Sequence, residues 1–388
     1  MEDSQSAYGK YGKDLKNKIG TMLPESHIPY TDKYFIRSKK ILAEENINPV
    51  VVMQVFIRDG PGKIYGIDEA IQIIKRYAKG NVSVYGLSEG SYYDSNETIM
   101  HITGNIQDII ELETMYLGVI TSATTKKNDN IDIDTDEIKK NAIQIRKLVP
   151  DKELIYFGAR HWHYSMDAKI SSACIDGGFD SCSTDIGAES SGLGHDKGIG
   201  TIPHALVIAF GSRYGKKDAC LKATMAFDKH IEKYAKRIAL IDTFNKEIDD
   251  SLSVAKNIKN LYGIRIDTAG ELVGQRDCTK THLIGTTIKK YWTGKGVTVE
   301  LVRTIRECLD KNGFKDIKIV LSSGFGDIEK IKAFVDGERK YGRLFDSLGI
   351  GSIFSARYAT ADIVKVDGKE FSKAGRMFKA NDRMIKML

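Results

Sequence analysis

The chain has 388 residues, of which 41% are hydrophobic and 28% are charged, a composition typical of a folded globular protein and not of a disordered one. Its formal charge is +6, but the basic residues are spread along the sequence, which argues against nucleic-acid binding and suits a site for phosphate-bearing small molecules. No apolar run reaches the roughly 20 residues that a transmembrane helix needs, and none of the five cysteines forms a C-x-x-C pair. We therefore expect a cytoplasmic protein with free thiols, no membrane association and no structural zinc site.

The first third of the chain is predicted to contain a polar extension followed by an α/β domain. Residues 1–25 lack the apolar segment of a secretory signal and are expected to be a polar extension, and the predicted domain covers 26–134. Helical spacing and runs of β-branched residues predict, in chain order, a helix at 31–45, a strand at 49–58, a helix at 68–78, strands within 82–104 and a long helix at 105–125.

From residue 135 to residue 352, short apolar strands alternate with helical stretches, which is the pattern of parallel βαβ units. Polar residues or glycines stand at the carboxyl ends of these strands, where α/β barrels carry their sites, so the pattern favours a barrel. The alternative is an open doubly wound sheet, but no G-x-G-x-x-G motif follows an early strand. The predicted strands are 154–160, 178–184, 200–211, 237–243, 263–268, 317–324 and 344–352.

The C-terminal residues 353–388 are predicted to form a short β-rich segment. Residues 364–375 contain Asp367-Gly368, a dipeptide typical of a two-residue hairpin turn. We expect this segment to pack back on the first domain.

Two glycine-rich turns late in the predicted barrel are candidate phosphate sites. They are SSGFG at 322–326, followed by the start of a helix, and LGIGS at 348–352. Glycine lets backbone N–H groups approach phosphate oxygens, and a helix N-terminus attracts anions. One such turn is usually only a turn, but two in succession after apolar strands favour phosphate binding. The candidate phosphate-binding residues are Ser323, Gly324, Gly349, Gly351 and Ser352.

Two aspartates, Asp242 and Asp267, each end a predicted strand. A single acid at such a place is ordinary, but two can face one cleft and hold ribose hydroxyls or a hydrated magnesium ion. Arg265 stands two residues before Asp267 and therefore points the same way along the strand. Its ordinary explanation is an ion pair inside the barrel.

The histidines give weaker signals when they are considered alone. His204 lies among small and apolar residues, where a histidine is more often a hydrogen-bonded core residue than a catalyst. His161 and His163 form an H-x-H pair, but no third metal ligand is evident, so a loop role is favoured. His195 lies in a glycine-rich segment that we expect to be a mobile loop.

Eight short motifs together resemble those of the nicotinate phosphoribosyltransferases, and the pattern is most similar to the shorter, archaeal-type enzymes. Each motif is modest alone, but their order and spacing over residues 30–355 are highly specific. They are T-D-x-Y at 31–34, F-G-x-R at 157–160, G-F-D-S-C-S-T at 178–184, G-T-x-x-H-A at 200–205, I-D-T at 241–243, R-I-D-T-A-G-E at 265–271, S-S-G at 322–324 and G-I-G-S at 349–352.

The resemblance implies an α/β fold in which an irregular, incompletely closed α/β barrel joins an α/β sandwich domain. The sandwich domain is then built from the N-terminal third and the C-terminal tail. The implied reaction converts nicotinate and phosphoribosyl pyrophosphate into nicotinate mononucleotide and pyrophosphate. Mg²⁺ is the implied cofactor, and ATP hydrolysis is coupled through a phosphohistidine.

The resemblance also assigns roles at the base end of the site. Asp32 and Tyr34 match the T-D-x-Y motif, whose tyrosine reaches the base from a neighbouring subunit, so a homo-oligomer, at least a dimer, is expected. Phe157 matches the aromatic residue that stacks on the pyridine ring. Arg160 is the arginine of the same motif and our candidate for binding the nicotinate carboxylate, because a guanidinium suits a carboxylate best.

At the sugar end, His204 matches the phosphorylated histidine, and Arg265 and Asp267 match the ribose-contacting pair. The two glycine-rich turns match the cradle of the 5′-phosphate, and Asp242 is expected to act beside Asp267. Three further residues in the matched motifs are expected to bind substrate, namely Asp180, Ser183 and Thr201.

Two departures from the family pattern stand out. The family often shows D-S-G-D where this chain has D-T-A-G-E at 267–271, which leaves the alignment after Asp267 open. Some relatives bind zinc with a C-terminal cysteine cluster, but no cysteine follows Cys308 here, so no such site is expected. The alternatives are a quinolinate or a nicotinamide phosphoribosyltransferase, or a non-catalytic barrel that binds a phosphometabolite.

Overall fold

The computed structural model describes residues 23–194, 198–275 and 290–388. Most of the predicted N-terminal extension and the predicted loop at His195 lie outside these residues. In the part of the chain that is described, no helix is long and apolar enough to span a membrane.

The secondary-structure elements are numbered in chain order. The α-helices are α1 (Lys33–Glu44), α2 (Ile67–Tyr77), α3 (Ile106–Ile109), α4 (Glu113–Asp129), α5 (Thr135–Leu148), α6 (Asp167–Asp176), α7 (Asp185–Ser190), α8 (His204–Tyr214), α9 (Ala219–His230), α10 (Glu247–Asn257), α11 (Val299–Lys311) and α12 (Ile328–Tyr341). The strands are β1 (Val50–Ile57), β2 (Gly62–Lys63), β3 (Ser83–Gly86), β4 (Tyr92–Tyr93), β5 (Thr98–Asn105), β6 (Glu153–Tyr156), β7 (Ser181–Cys182), β8 (Ile238–Leu240), β9 (Gly263–Ile266), β10 (Lys318–Leu321), β11 (Ser347–Ile350), β12 (Ala359–Val366), β13 (Lys369–Glu370) and β14 (Ile385–Lys386). Short 3-10 turns cover Ile28–Tyr30, Ile110–Leu112, Ala159–His161 and Tyr164–Met166.

The first sheet is antiparallel and joins the N-terminal third of the chain to its C-terminal segment. Its strand order is β13-β12-β1-β5-β3-β14. β12 pairs along β1, with Thr360 opposite Phe56, so the C-terminal segment returns to the first domain as expected. The hairpin between β12 and β13 turns at Asp367 and Gly368, both in the left-handed region with φ of 47° and 76°, as the Asp-Gly pair predicts.

The second sheet is parallel, with the strand order β7-β6-β11-β10-β9-β8. β7 and β8 are its edges, and no pairing within the described ranges joins them, so the barrel is open. The predicted fold class, an incompletely closed α/β barrel with an α/β sandwich domain, is confirmed. Because the strands run parallel, the loops after them meet at one edge of the sheet, where barrels carry their sites.

The predicted strand at 200–211 is wrong. Helix α8 begins at His204, with Pro203 at the N-cap position. All residues from Ala205 to Gly211 are buried, so the segment has no alternation of polar and apolar positions. An apolar run of this kind fits a buried strand as well as a buried helix. His204 therefore stands in the first turn of a helix and not at the end of a strand.

Helix α4 packs against α2, β12 and the 3-10 turn Ala159–His161, and most of its residues are buried. Gly118 permits this close approach, since a Cβ atom there would lie 2.2 Å from the carbonyl oxygen of Trp162. The packing holds Glu113, the first residue of α4, next to Arg160.

Candidate active site

A cavity of about 250 Å³ lies where the carboxyl ends of the parallel strands face β12 and the helices α1, α4 and α8. Motifs from both ends of the sequence therefore meet in one place. The predicted site residues that line the cavity are Tyr34, Phe157, Arg160, His204, Arg265, Asp267, Ser323, Gly324, Gly349, Gly351 and Ser352.

Asp267 follows β9 and is held from several sides. Its Oδ1 atom accepts a hydrogen bond of 2.8 Å from the Ser322 hydroxyl. Its Oδ2 atom lies 3.4 Å from His204 Nε2 and 3.8 Å from Arg265 Nη2. Arg265 in turn donates a hydrogen bond of 2.8 Å to Thr201 Oγ1, so Thr201 positions the guanidinium and does not line the cavity itself.

The titratable side chains around Asp267 differ in their protonation at neutral pH. Burial would raise the pKa of Asp267, but the adjacent His204 and Arg265 outweigh it and hold that pKa well below its usual range. Burial, together with the negative charge of Asp267, raises the pKa of Asp242. Burial and the Lys373 ammonium lower the pKa of His204 to about 3, so its ring is neutral at neutral pH. The cavity therefore contains an ionised Asp267 beside a neutral imidazole.

His204 projects from the start of α8 toward the two aspartates. Its Nδ1 atom lies 3.0 Å from the Thr243 hydroxyl. Its Nε2 atom is buried and has no hydrogen-bond partner in the described part of the protein, although Asp267 Oδ2 and Asp242 Oδ2 lie 3.4 and 3.6 Å away. Because His204 lowers the pKa of Asp267 as a hydrogen-bond donor, the tautomer that fits has Thr243 donating to Nδ1 and the Nε2–H facing Asp267 Oδ2.

Three predicted residues support the cavity from behind its wall. Asp242 Oδ1 accepts the backbone N–H of Asp267 at 3.2 Å and so fixes the turn after β9. Asp32 is buried, and its carboxylate accepts a hydrogen bond of 3.0 Å from Thr114. Ser183 is buried next to it, and its carbonyl oxygen accepts the N–H of Lys33 at 2.8 Å. Asp32 and Ser183 thus hold α1 against the barrel, and none of the three residues lines the cavity.

Asp180 is not brought to the cavity, and this is a correction of the sequence analysis. The strand predicted at 178–184 is only Ser181–Cys182, so Asp180 stands at its amino end, opposite to the site. Its carboxylate accepts hydrogen bonds of 2.6 Å from Arg146 and 2.8 Å from the Leu154 N–H. Asp180 therefore joins β6 to α5 and has a structural role.

Phe157, Arg160 and Tyr34 form the other end of the cavity. Arg160 Nη1 donates a hydrogen bond to the Tyr34 hydroxyl and lies 3.2 Å from Glu113 Oε1. Tyr34 lines the cavity together with Phe157 and Arg160 of its own chain. That a neighbouring subunit supplies this tyrosine to the base stays a prediction. The predicted homo-oligomer likewise stays a prediction.

The turn at 322–326 presents a set of free donors. Ser323 and Gly324 both have left-handed backbones, with φ of 72° and 78°. The backbone N–H groups of residues 323–326 donate no hydrogen bond to the described part of the chain, and α12 starts directly after the turn. Lys330 is buried below the turn and donates a hydrogen bond of 2.7 Å to the Ser323 carbonyl oxygen. Successive free N–H groups at a helix start form an anion-binding nest.

The second glycine-rich turn is shaped by its neighbours. A Cβ atom on Gly349 would lie 2.4 Å from the Phe157 ring, and one on Gly351 would lie 2.6 Å from the His161 ring. A Cβ atom on Gly326 would lie 1.7 Å from the Ser352 carbonyl oxygen, so the two predicted cradles are in direct contact. Gly349 and Gly351 are thus needed for the packing of these two rings.

Gly349→Ala is expected to displace the Phe157 ring. On the role that the motif resemblance implies for Phe157, it raises the KM for a pyridine substrate about tenfold, because small misplacements of a positioning group are costly. The matched control is Gly86→Ala in β3, where a Cβ atom meets only ordinary contacts of 3.5 Å or more. Steady-state kinetics and thermal melting of both variants check this. A Gly349→Ala enzyme with an unchanged KM shows that Phe157 does not position the base.

Several residues of the cavity were not found from the sequence. Glu113, Lys373, Asp362 and Arg58 all line it. Lys373 Nζ lies 3.2 Å from Asp362 Oδ1, and both belong to the C-terminal segment. In the sequence, only the position of two of these residues stands out. Glu113 is the first residue of a helix whose first turns are otherwise almost wholly apolar, and Asp362 lies within an apolar strand. His163 pairs with Glu69 at 3.0 Å, while His161 faces the cavity, so the two do not form a metal pair.

Comparisons with known proteins give the family context. Residues 32–124 match the sequence model described as the quinolinate phosphoribosyl transferase N-terminal domain. A Saccharomyces cerevisiae structure assigned as a nicotinate phosphoribosyltransferase is 17% identical, with 90% of this chain and 93% of that chain covered and a TM-score of 0.64. The nicotinate phosphoribosyltransferase of Porphyromonas gingivalis is 13% identical, with the same coverages and a TM-score of 0.62.

A nicotinate-nucleotide pyrophosphorylase from Pyrococcus furiosus is 29% identical, with 92% of this chain and 80% of that chain covered and a TM-score of 0.43. A search of curated proteins found no matching sequence. The fold is that of the nicotinate phosphoribosyltransferase structures, and the resemblance to type II phosphoribosyltransferases drawn from the motifs is confirmed.

Proposed function

We propose that this chain, which has the fold of the type II phosphoribosyltransferases, is a nicotinate phosphoribosyltransferase of pyridine nucleotide salvage. Its substrates are nicotinate, phosphoribosyl pyrophosphate and ATP, and its products include nicotinate mononucleotide and pyrophosphate. One observation carries the proposal: a free N–H nest, an ionised carboxylate and an aromatic–guanidinium pair line a single cavity. We further propose that the enzyme acts in the cytoplasm.

In this proposal the nest at 323–326 receives the 5′-phosphate, which places the ribose next to Asp267. The pyridine nitrogen bonds to the anomeric carbon while the bond from that carbon to pyrophosphate breaks. Positive charge develops on the sugar as the leaving group departs. Asp267 is ionised and fixed by Ser322, so it stabilises that charge without having to reorganise.

Phe157 and Tyr34 are the aromatic residues that hold the flat ring. Arg160 lies between them and Glu113, and it is the cation proposed to bind the ring carboxylate. Holding the ring with its nitrogen in line with the anomeric carbon lowers the entropic part of the barrier.

Magnesium fits this site as part of the substrate. Within the described ranges no group of three or more acidic, histidine or cysteine ligands is present, so the protein alone offers no complete metal site. The pyrophosphate oxygens are hard ligands of the kind that Mg²⁺ prefers, and Asp267 offers a carboxylate oxygen beside them. When it is bound, the ion supplies positive charge to the leaving group.

His204 is the residue proposed to couple ATP hydrolysis to the transfer reaction. His204 has the features of a phosphoryl acceptor, because it is neutral, lines the cavity and is oriented by Thr243. We expect incubation with ATP labelled on its γ-phosphate to label the protein at His204, with at least tenfold less label in His204→Ala. His230→Ala is the control, since His230 pairs with Glu45 away from the cavity. Undiminished label in His204→Ala excludes this histidine as the acceptor.

Quinolinate is the alternative base, favoured by the domain model that matches residues 32–124. A second ring carboxylate needs a second cation, and each cation that lines the cavity already has an acidic neighbour within 4 Å. These pairs are Arg58 with Glu271, Arg160 with Glu113, Arg265 with Asp267 and Lys373 with Asp362. Burial raises the pKa of Glu113 to about 8 despite Arg160, so at neutral pH the acidic partner of Arg160 is mostly neutral. This balance favours one carboxylate.

The test is product analysis by chromatography and mass spectrometry. The purified chain is incubated with phosphoribosyl pyrophosphate, magnesium and one of nicotinate, nicotinamide or quinolinate, with and without ATP. The proposal is supported if nicotinate mononucleotide forms from nicotinate faster than a nucleotide forms from either of the other bases. Faster turnover of quinolinate or nicotinamide assigns the chain to that base, and no product with any base indicates a non-catalytic phosphometabolite-binding barrel.

A further inference from the structure

The guanidinium that is proposed to bind the ring carboxylate already has a carboxylate partner. Glu113 Oε1 lies 3.2 Å from Arg160 Nη1, and the same nitrogen donates to the Tyr34 hydroxyl. Glu113 is 6% exposed and lines the same cavity. A ring carboxylate that binds Arg160 therefore competes with Glu113 for one cation.

Glu113 cannot leave this position by turning into solvent. It opens α4, which is buried between α2, β12 and the 3-10 turn Ala159–His161 and is held close to that turn by Gly118. Neutralising one of the two carboxylates relieves the competition without moving α4.

The charges that act on Glu113 come from several neighbouring elements. Asp32 and Tyr34 face it from α1 and Asp362 from β12, and Tyr116 lies on α4 itself. Arg160 and Lys373 are the two cations near it, and Lys373 is paired with Asp362. A further anion in this group is not balanced by any additional cation that lines the cavity, because Arg58 and Arg265 have acidic partners of their own.

We propose that Glu113 is the residue that selects between a pyridine carboxylate and its amide, and that it does so by holding a proton when the carboxylate is bound. The inference rests on the proposed function and adds a specificity-determining residue to it. Protonated Glu113 leaves Arg160 to the ring carboxylate. Ionised Glu113 neutralises Arg160 and accepts a hydrogen bond from an amide N–H instead.

The sign of the pH dependence follows from this exchange. Burial raises the pKa of Glu113 to about 8, so the residue is mostly neutral below that pH and mostly ionised above it. Above pH 8, nicotinate binding then requires the uptake of one proton. The kcat/KM for nicotinate therefore falls about tenfold for each unit by which the pH rises. The kcat/KM for nicotinamide stays level or rises over the same range, because the amide needs no proton on Glu113.

The experiment compares wild type, Glu113→Gln and Glu111→Gln between pH 6.5 and 9.5. We measure kcat/KM for nicotinate and nicotinamide, proton uptake on nicotinate binding by calorimetry in two buffers, and thermal melting. Glu111 is a buried glutamate two residues away that pairs with Lys39 and His27, so it provides the same substitution outside the cavity.

We expect the fall in nicotinate kcat/KM above pH 8 to disappear in Glu113→Gln and to persist in Glu111→Gln. Wild type takes up a proton on binding nicotinate at pH 9, and Glu113→Gln does not. If wild type makes nicotinate mononucleotide but Glu113→Gln keeps the wild-type slope, the proposed function stands and the role of Glu113 is wrong.

If wild type makes no nucleotide from nicotinate, the proposed function fails, and calorimetry of nicotinate binding still decides the role of Glu113. Binding without proton uptake, or no binding at all, overturns it. Should Glu113→Gln melt early, Glu113→Ala supplies a second variant that removes the titrating group, and proton uptake in wild type at pH 7 and pH 9 tests the inference without any substitution.

Discussion

Asp267→Asn is expected to lower kcat by about 10²–10³-fold, with little change in the KM for either substrate. The substitution keeps the shape of the side chain and an oxygen that accepts from Ser322, but it removes the negative charge that faces the developing cation on the sugar. Since the pKa of Asp267 is held well below its usual range, wild type keeps this charge far into the acid range, and kcat should not fall from its protonation above pH 5. Steady-state kinetics with phosphoribosyl pyrophosphate saturating measure the loss.

The matched control for this prediction is Asp242→Asn. Asp242 accepts a hydrogen bond from the Asp267 N–H through Oδ1, which an amide oxygen also accepts, and its raised pKa means that less charge is removed. We expect a tenfold smaller loss than in Asp267→Asn. Equal losses in the two variants contradict the assignment of the stabilising charge to Asp267, as does a kcat of Asp267→Asn within threefold of wild type. Thermal melting of both variants separates these effects from misfolding.

Arg160→Ala is expected to lower kcat/KM about 10²–10³-fold for nicotinate and less than tenfold for nicotinamide. Removing the guanidinium leaves the ring carboxylate in a partly buried site without a cation, and losses of this size are typical when one member of such a pair is removed. An amide carries no charge and loses only hydrogen bonds. Kinetics with both bases, at pH 7 and with ATP present, test the difference.

Arg160→Lys separates charge from geometry in the same assay. An ammonium keeps the positive charge but cannot form the forked pair of hydrogen bonds, so we expect nicotinate kcat/KM between those of wild type and Arg160→Ala. A surface control is Arg213→Ala, because Arg213 contacts the backbone of Glu45 and Asn46 outside the cavity. If Arg160→Ala reduces kcat/KM equally for both bases, Arg160 has no role in recognising the carboxylate.

Much of the fold could be predicted from local patterns, and its main error has a clear cause. The strand β1 and the turn at Asp367-Gly368 were predicted because β-branched runs and Asp-Gly dipeptides have short-range physical preferences. The segment 200–211 was assigned wrongly because residues 205–211 of α8 are all buried, and such burial removes the periodicity that distinguishes a helix from a strand.

Local sequence patterns also predicted only part of the site. Asp267 and the turn at 322–326 could be predicted because parallel strands place the loops that follow them at one edge. Asp180 was misplaced because the strand it belongs to is only two residues long, which moves the residue to the opposite end. Glu113 and Lys373 could not be found, since their roles depend on contacts between α4, the C-terminal segment and the barrel that no local pattern encodes.

The pairing of β12 with β1 has a consequence for biosynthesis. Because β12 closes one wall of the cavity and Lys373 follows it, the pocket cannot form until residues beyond 373 have left the ribosome. Until then β1 has one unpaired edge, which is the kind of surface that chaperones bind and that promotes aggregation. Nascent chains that stall before residue 359 should therefore be handled by the quality-control machinery and have no turnover, even though all six strands of the parallel sheet have been synthesised.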